Sequence, residues 1–184
     1  MTVAAKLPMT VDQYLAWAQE HPGRYELYDG IAYAMSPEGA GHAKIKFAVQ
    51  TALVRGIKAS GLPCRMLPDG MTVRVESKTA YEPDALVYCG QEVEARSLEI
   101  PNPIIIVEVL SPTTRRIDTS LKLTGYFKLT SVSHYLVVDP AKWCVLHHRR
   151  EHNGSIVTHI VSDGSITLDP PGMTITLDEI YGEV

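Results

Sequence analysis

Hydrophobic and polar positions alternate along the chain with two periods, which predict a mixture of helices and strands. Thr10 and Gln13 have the spacing of a capping box, and apolar residues follow at helical spacing until Pro22. A hairpin is predicted over 24–35 with Asp29 and Gly30 at its turn. The remaining predicted helical segments are 40–60, 119–130 and 177–181, and the remaining predicted strands are 62–67, 71–77, 81–88, 134–138, 143–150 and 156–161.

The most apolar segment of the chain spans 103–110 and reads Pro-Ile-Ile-Ile-Val-Glu-Val-Leu. A continuous Ile/Val run of this length indicates a central strand that is buried on both faces. The order of elements predicts an α/β fold of the α+β kind, in which a mixed sheet is flanked by helices. We expect one domain over 1–184, with an N-terminal helix in 1–23, a core over 24–160 and a C-terminal extension over 161–184.

Composition narrows the class of protein. Of the 184 residues, 45% are hydrophobic and 21% are charged, which is typical of a folded globular chain. No apolar run approaches the roughly 18 residues of a membrane span, and the N-terminus lacks a signal-peptide core, so we expect a cytoplasmic protein with no membrane partner. The number of cysteines is odd, and none has the CxxC spacing; they are Cys64, Cys89 and Cys144. This predicts reduced thiols rather than a disulfide or zinc framework.

The charge balance limits the modes of nucleic-acid binding. There are 17 Lys and Arg against 21 Asp and Glu, which gives a net charge of −4. A protein that coats nucleic acid through bulk charge needs many basic residues on phosphates, so this mode is disfavoured. An enzyme whose carboxylates recruit a cation is not excluded.

Two carboxylates are the strongest candidates for chemistry. Glu108 lies in the middle of the apolar strand, where an ionised carboxylate is costly unless it is paired or bound to a cation. Asp84 follows Pro83 near the start of another apolar strand. On adjacent strands the two could converge on Mg²⁺, which prefers oxygen ligands. The residues alone also allow a strand-end glutamate that is solvated or paired with an arginine, and an ordinary turn aspartate.

Several short segments, in a fixed order, resemble a known family. They are 24–30 (Arg-Tyr-Glu-Leu-Tyr-Asp-Gly), 35–37 (Met-Ser-Pro) followed by His42, 83–84 (Pro-Asp), and 107–112 (Val-Glu-Val-Leu-Ser-Pro) followed by Thr114, Asp118, Lys122 and Tyr126. The chain resembles the Uma family of restriction endonuclease-like proteins, within the PD-(D/E)xK nuclease superfamily. The resemblance implies a restriction endonuclease-like fold, an endonuclease that uses Mg²⁺ or Mn²⁺ on DNA, and a homodimer.

The resemblance also assigns site residues. It places the metal-binding carboxylates at Asp84 and Glu108, with Glu26 as a further acidic residue beside them that assists in binding the metal. The superfamily lysine is expected two residues after the glutamate, where this chain has Leu110. The candidate that replaces it is Lys122, which lies on a partly apolar stripe of its predicted helix. The lysine of such a site orients the attacking water and stabilises developing negative charge.

Three further candidates lie close to these residues. His42 falls on the inward face of its predicted helix, and the resemblance makes it a contact to the site or to a substrate phosphate. From the residue alone, a hydrogen-bonded core histidine is the alternative. Arg115 and Arg116, beside the carboxylates, are candidates for phosphate contacts.

The sequence also allows a purely structural role for Lys122 and other functions for the chain. Lys122 could form an ordinary surface pair with Asp118, four residues earlier. The chain could be a non-catalytic module that binds nucleic acid or protein and retains the nuclease fold. A small-molecule metallohydrolase that uses His147, His148 and His152 is less favoured, because adjacent histidines on a strand point to opposite faces.

Overall fold

The computed structural model describes residues 2–5, 7–111 and 120–182. The strands of this part of the chain are β1 (Thr2–Ala5), β2 (Tyr25–Tyr28), β3 (Ile31–Ala34), β4 (Cys64–Pro68), β5 (Val73–Glu76), β6 (Thr79–Tyr81), β7 (Ala85–Cys89), β8 (Ile105–Val109), β9 (His134–Asp139), β10 (Cys144–Arg150), β11 (Ile156–Val161), β12 (Ser165–Leu168) and β13 (Met173–Thr176). The helices are α1 (Val11–Glu20), α2 (Ala40–Ala59), α3 (Lys122–Tyr126) and α4 (Leu177–Tyr181).

The larger sheet has six strands in the order β11-β10-β9-β8-β7-β4. Its neighbours are antiparallel except β8 and β9, which run parallel with Glu108 opposite Val137. A second sheet has five strands in the order β1-β3-β2-β6-β5, and β12 pairs with β13 as a separate hairpin. The fold is therefore a mixed α/β arrangement with sheets and few helices.

Strand β8 is buried on both faces, as the apolar run predicts. Its odd-numbered residues Ile105, Val107 and Val109 pack in one core cluster with the apolar face of α2. On the opposite face Ile106 packs in a second cluster, which includes Tyr126 of α3. Because side chains alternate along a strand, Glu108 points to the same face as Ile106.

The local signals at the N-terminal end are confirmed. The hydroxyl of Thr10 accepts a hydrogen bond from the Gln13 N–H, and the Gln13 side chain accepts one from the Thr10 N–H, which completes the capping box. The predicted hairpin forms between β2 and β3. Asp29 and Gly30 have φ values of 47° and 81°, the left-handed backbone that this tight turn requires.

The structure differs from the predicted elements in three places. The predicted strand 81–88 is two strands: β6 lies in the five-stranded sheet and β7 in the six-stranded sheet, and the chain crosses between them at Pro83. Helix α3 is much shorter than 119–130, and residues 112–119 lie outside the described part. The short strands β1, β12 and β13 were not predicted.

The segment expected as a C-terminal extension packs into the core around α2. Ile166, Ile175 and Ile180 belong to the same cluster of buried residues as the apolar face of α2. The contact with α2 is close, since a Cβ at Gly56 would lie 3.2 Å from the Thr174 carbonyl oxygen. The hairpin and α4 therefore cover the side of α2 that the six-stranded sheet leaves open.

The prediction of three reduced thiols is wrong. Cys64 and Cys89 form a disulfide, and Cys144 is the free cysteine of the described chain. The two bonded residues stand directly opposite each other on β4 and β7. They are 25 residues apart in the chain, so their pairing depends on the sheet register, which their spacing does not reveal. None of the described helices is long and apolar enough to cross a membrane.

Candidate active site

A cleft of about 440 Å³ lies where the end of β8 meets the start of α2. It contains charged side chains from both elements and from the segment that precedes β7. One wall is apolar. The lining residues are Met35, Ser36, Pro37, Glu38, Gly39, Gly41, His42, Asp84, Glu108, Val109, Leu110, Ser111, Lys122, Pro140 and Ala141.

Glu108 is held by two donors from α3. Its Oε1 atom accepts hydrogen bonds from Lys122 Nζ at 2.8 Å and from the Tyr126 hydroxyl at 2.7 Å. All three residues are buried. Burial, followed by the nearby negative charge of Glu108, raises the pKa of Tyr126 well above its usual value, so its hydroxyl stays protonated and donates. The carboxylate that the strand pattern singles out is therefore paired with a lysine rather than solvated.

Lys122 lies between two carboxylates. Its Nζ atom is 2.8 Å from Glu26 Oε1 as well as 2.8 Å from Glu108 Oε1, and the residue is only 1% exposed. The same Glu26 oxygen accepts the Glu82 N–H at 2.9 Å. The ammonium is therefore fixed in position by β2 on one side and β8 on the other.

The approach of α3 to β6 depends on a glycine. A Cβ at Gly125 would lie 2.8 Å from a ring carbon of Tyr81, closer than real contacts allow. Lys122 Nζ lies over the Tyr81 ring at 5.7 Å from its centroid, which adds a cation–π contact. The contact between Tyr81 and Gly125 therefore determines how closely α3 packs against β6.

Asp84 closes the end of β8 with its main chain and its side chain. Its N–H donates to the Val107 carbonyl at 3.0 Å, and its Oδ2 accepts the Val109 N–H at 2.7 Å. Burial alone would raise the pKa of Asp84. The imidazole of His42 and the Val109 N–H outweigh that effect, so the pKa lies below its usual value and the carboxylate is ionised.

His42 reaches the same strand end from the first turn of α2. Its Nε2 atom is 2.9 Å from the Val109 carbonyl oxygen and 3.6 Å from Asp84 Oδ2. The contact with Asp84 is the main cause of a raised pKa at His42. The inward orientation predicted from the helical spacing is confirmed.

A network of ion pairs holds Glu38 at the rim. Its Oε1 accepts from Arg24 at 3.0 Å and from Lys46 at 2.5 Å, and both cations also contact Asp69. Burial would raise the pKa of Glu38, but Lys46 and the neighbouring cations lower it below the usual value. The sequence reasoning missed Glu38 because it lies in a loop without periodicity. The sequence did contain one indication, since Glu38 precedes His42 by four residues, a spacing at which two side chains can meet near the start of a helix.

Among the described residues, one group has the geometry of a cation site. Glu38, His42 and Asp84 each offer a ligand atom, and these atoms lie within 4.8 Å of one another. Glu108 lines the same cleft but is not part of this group, and Glu26 lies behind Lys122. The candidates Arg115, Arg116 and Asp118 lie outside the described residues.

Within the described part of the chain, His147, His148 and His152 do not form one metal-binding group. His147 Nε2 is 2.8 Å from His134 Nδ1, and His148 Nδ1 is 2.8 Å from the Thr158 hydroxyl. His152 is exposed in the turn after β10. These pairings are those of hydrogen-bonded sheet residues, and they disfavour the histidine-based metallohydrolase.

The described architecture is that of the restriction endonuclease-like proteins. A crystal structure titled "a putative nuclease belonging to DUF820", from Anabaena variabilis ATCC 29413, matches it with a TM-score of 0.75. The match covers 95% of this chain and 98% of that chain at 14% sequence identity. The likeness is one of fold, and the predicted fold class is confirmed.

Sequence comparison gives the particular family. The model of the Uma2 family, described as "Putative restriction endonuclease", matches residues 11–178, and the chain belongs to this family. The resemblance inferred from the ordered motifs is thereby confirmed. A nuclease is the class of enzyme that the description of the family supports.

Two uncharacterized proteins of Synechocystis sp. (strain ATCC 27184 / PCC 6803 / Kazusa) are also similar. One, slr1290, is 23% identical over 175 residues, which cover 94% of this chain and 91% of the relative. The other, sll1609, is 22% identical over 153 residues, which cover 82% of this chain and 85% of the relative. The similarity to both relatives extends over most of their length.

Proposed function

We propose that this protein is an endonuclease that hydrolyses phosphodiester bonds in DNA, with Mg²⁺ or Mn²⁺ held by Asp84 and Glu108. The observation that carries the proposal is that both carboxylates line the cleft that also contains Lys122, and that the lysine contacts Glu108 directly. A buried lysine between carboxylates has a cost that a solvated surface pair avoids. Membership of the Uma2 family supports the same class of reaction.

The residues in the cleft fit a divalent cation. Asp84 and Glu108 supply the carboxylate oxygens that Mg²⁺ and Mn²⁺ prefer. His42 Nδ1 is buried and has no hydrogen-bond partner within the described residues, which is unusual for a polar atom. A cation, when bound, supplies Lewis-acid stabilisation of the phosphate and lowers the pKa of a water molecule.

Lys122 has the second role in this proposal. Its ammonium orients the attacking water and stabilises the negative charge that develops on the phosphoryl oxygens. Glu26 and Glu108 hold Nζ at 2.8 Å each, so the donor is positioned before the substrate arrives. We therefore assign Glu26, predicted from the resemblance as a metal ligand, to positioning Lys122.

Substrate and assembly follow from the same proposal. Two copies that each cut one strand are a simple way to break a duplex, which favours a homodimer. The homodimer and DNA as the substrate both stay predictions. Phosphate contacts by Arg115 and Arg116 also stay predictions. Because the net charge is −4, affinity for DNA should depend on the cation that offsets the carboxylates.

A cleavage assay tests the function. Wild type, Asp84→Asn and Glu108→Gln are incubated with supercoiled plasmid, single-stranded DNA and RNA in Mg²⁺, in Mn²⁺ and in chelator. We expect wild type to cut DNA only with the cation, and both variants to lose at least about 100-fold in rate, as losses of single charge-stabilising groups do. The exposed Glu92→Gln is the matched control and should cut like wild type.

The same assay separates the enzyme from the non-catalytic module. If wild type and Asp84→Asn are equally inert on every substrate with either cation, the nuclease proposal fails. Binding of the same DNA by an inert wild type would then favour the module that retains the fold.

A further inference from the structure

Three side chains at the mouth of the cleft each have one polar atom that makes no hydrogen bond to the residues that the structure describes. In Glu38, Oε1 is taken by Arg24 and Lys46, and Oε2 lies 3.6 Å from His42 Nδ1. The two cations fix the carboxylate and orient its second oxygen. That oxygen is available to a ligand without disturbing the ion pairs.

The hydrogen bond of His42 defines which ring nitrogen is available. A carbonyl oxygen only accepts, so the 2.9 Å contact with Val109 places the ring proton on Nε2. Nδ1 of the neutral ring then carries a lone pair, and it is buried with no hydrogen-bond partner in the described chain. A ring N–H on a main-chain carbonyl, with the other nitrogen unused, is the arrangement of histidines that ligate metals.

Asp84 completes the set. Its Oδ2 is committed to the Val109 N–H at 2.7 Å, which leaves Oδ1 as the second carboxylate oxygen. One ligand atom from each of Glu38, His42 and Asp84 lies within 4.8 Å of the others. With bonds of about 2.0–2.3 Å to a cation, ligands on opposite sides of it stand about 4–4.6 Å apart.

We propose that Glu38, His42 and Asp84 form a cation site of mixed nitrogen and oxygen ligands, which binds a first-row transition-metal dication in preference to Mg²⁺. Glu108 is not one of its ligands. An imidazole nitrogen favours transition metals, whereas Mg²⁺ prefers an oxygen-only environment. The proposal rests on the proposed function only through Asp84, which both share.

Arg24 and Lys46 belong to this site as positioning residues. Each contacts the Glu38 carboxylate and Asp69, so the loop that carries Glu38 is tied to the end of β4 and to α2. The ligand on the loop is thereby held against the ligand on the helix. Such outer contacts commonly change metal affinity 10- to 100-fold.

Metal binding, measured without any substrate, tests the site. Mn²⁺ and Mg²⁺ are titrated by calorimetry into wild type, Asp84→Asn, His42→Ala, Glu38→Gln and Glu108→Gln. We expect wild type to bind Mn²⁺ more tightly than Mg²⁺, Asp84→Asn to lose binding, and His42→Ala and Glu38→Gln each to weaken Mn²⁺ at least about tenfold. In Glu108→Gln the Mn²⁺ binding that depends on His42 and Glu38 should persist, whereas any cation held by Glu108 itself is lost. The exposed control variant His152→Ala should stay within about threefold of wild type.

A spectroscopic measurement on wild type tests the site even where a variant folds poorly. Electron spin-echo modulation of Mn²⁺ bound to wild type should show a directly coordinated ¹⁴N nucleus, and Glu38→Gln, which retains His42, should keep that signal at saturating Mn²⁺. Absence of nitrogen coordination in wild type overturns the proposal. Mn²⁺ affinity that depends on Glu108 but not on His42 or Glu38 also overturns it.

The outcomes distinguish this site from the nuclease. Loss of Mn²⁺ binding in His42→Ala, together with a wild type that cuts no nucleic acid, supports the cation site and refutes the nuclease. Cleavage that needs Asp84 and Glu108, together with Mn²⁺ binding that ignores His42 and Glu38, does the reverse.

Discussion

Lys122 Nζ lies 2.8 Å from Glu108 Oε1, although the lysine follows the glutamate by fourteen residues and stands on a helix rather than on the same strand. The position two residues after Glu108 is occupied by Leu110, which is buried in the core. The lysine–carboxylate pair thus depends on the packing of α3 against the face of β8 that carries Ile106. The contacts of this pair predict the effects of single substitutions.

Lys122→Met should destabilise the protein strongly. It leaves Glu26 and Glu108 as buried carboxylates without the cation between them, and breaking a buried pair in this way costs about 3–5 kcal/mol. Urea denaturation at neutral pH measures the loss. Lys128→Met removes the half-exposed pair with Glu76 and should cost less than about 1 kcal/mol. Equal losses in the two variants would contradict the buried pairing.

Tyr126→Phe should affect both stability and cleavage. It removes the 2.7 Å hydrogen bond to Glu108, and a buried hydrogen bond to a charged group contributes about 1.5–3 kcal/mol. Cleavage should fall because the carboxylate loses one of the donors that orient it. Tyr14→Phe removes a hydrogen bond to the Tyr25 carbonyl, away from the cleft, and should lower stability alone. Denaturation and plasmid cleavage, run in parallel, check the contrast.

Acid should destabilise the protein through His134 and His147. Burial lowers the pKa of His134 from 6.5 to about 4 and that of His147 from 6.5 to about 3. The folded state therefore binds fewer protons than the unfolded state in this range, so the free energy of unfolding falls as the pH drops from about 6.5 towards 3.

The effect can be isolated by one substitution. His147→Gln should reduce the loss of unfolding free energy between pH 7 and pH 4.5 by about 2 kcal/mol, since each unit of pKa shift corresponds to about 1.4 kcal/mol. Denaturant unfolding at the two pH values measures it, and the exposed His152→Gln should behave like wild type. An unchanged pH dependence in His147→Gln would show that the histidine pair is not responsible.

The disulfide should contribute measurably to stability. A cross-link between residues 25 positions apart restricts the unfolded chain, which corresponds to about 3 kcal/mol. Cys64→Ser with Cys89→Ser should lower the free energy of unfolding by that amount under non-reducing conditions, whereas Cys144→Ser should not. Thiol titration of the denatured, unreduced protein should find Cys144 alone reactive. Reactivity at all three cysteines would refute the pairing.

The sequence predicts the parts of the fold and of the site that depend on local pattern. Glu108 was identifiable because a carboxylate interrupts an apolar run, and the inward face of His42 follows from helical spacing. Contacts between distant segments were not identifiable. The pairing of Glu26 with Lys122 joins β2 to α3, and the division of 81–88 between two sheets depends on which strands are neighbours in space. Glu38 lies in a loop, where no periodic pattern indicates a direction.

The close packing at Gly125 determines which substitutions the cleft can accept. Lys122 stands three residues earlier on the same short helix, so any group larger than hydrogen at 125 would move the helix off the Tyr81 ring and carry the ammonium away from its carboxylates. The position of the Lys122 ammonium thus depends on Gly125, a residue without a side chain of its own. A substitution that looks minor by size and polarity would act as a change of geometry at the centre of the cleft.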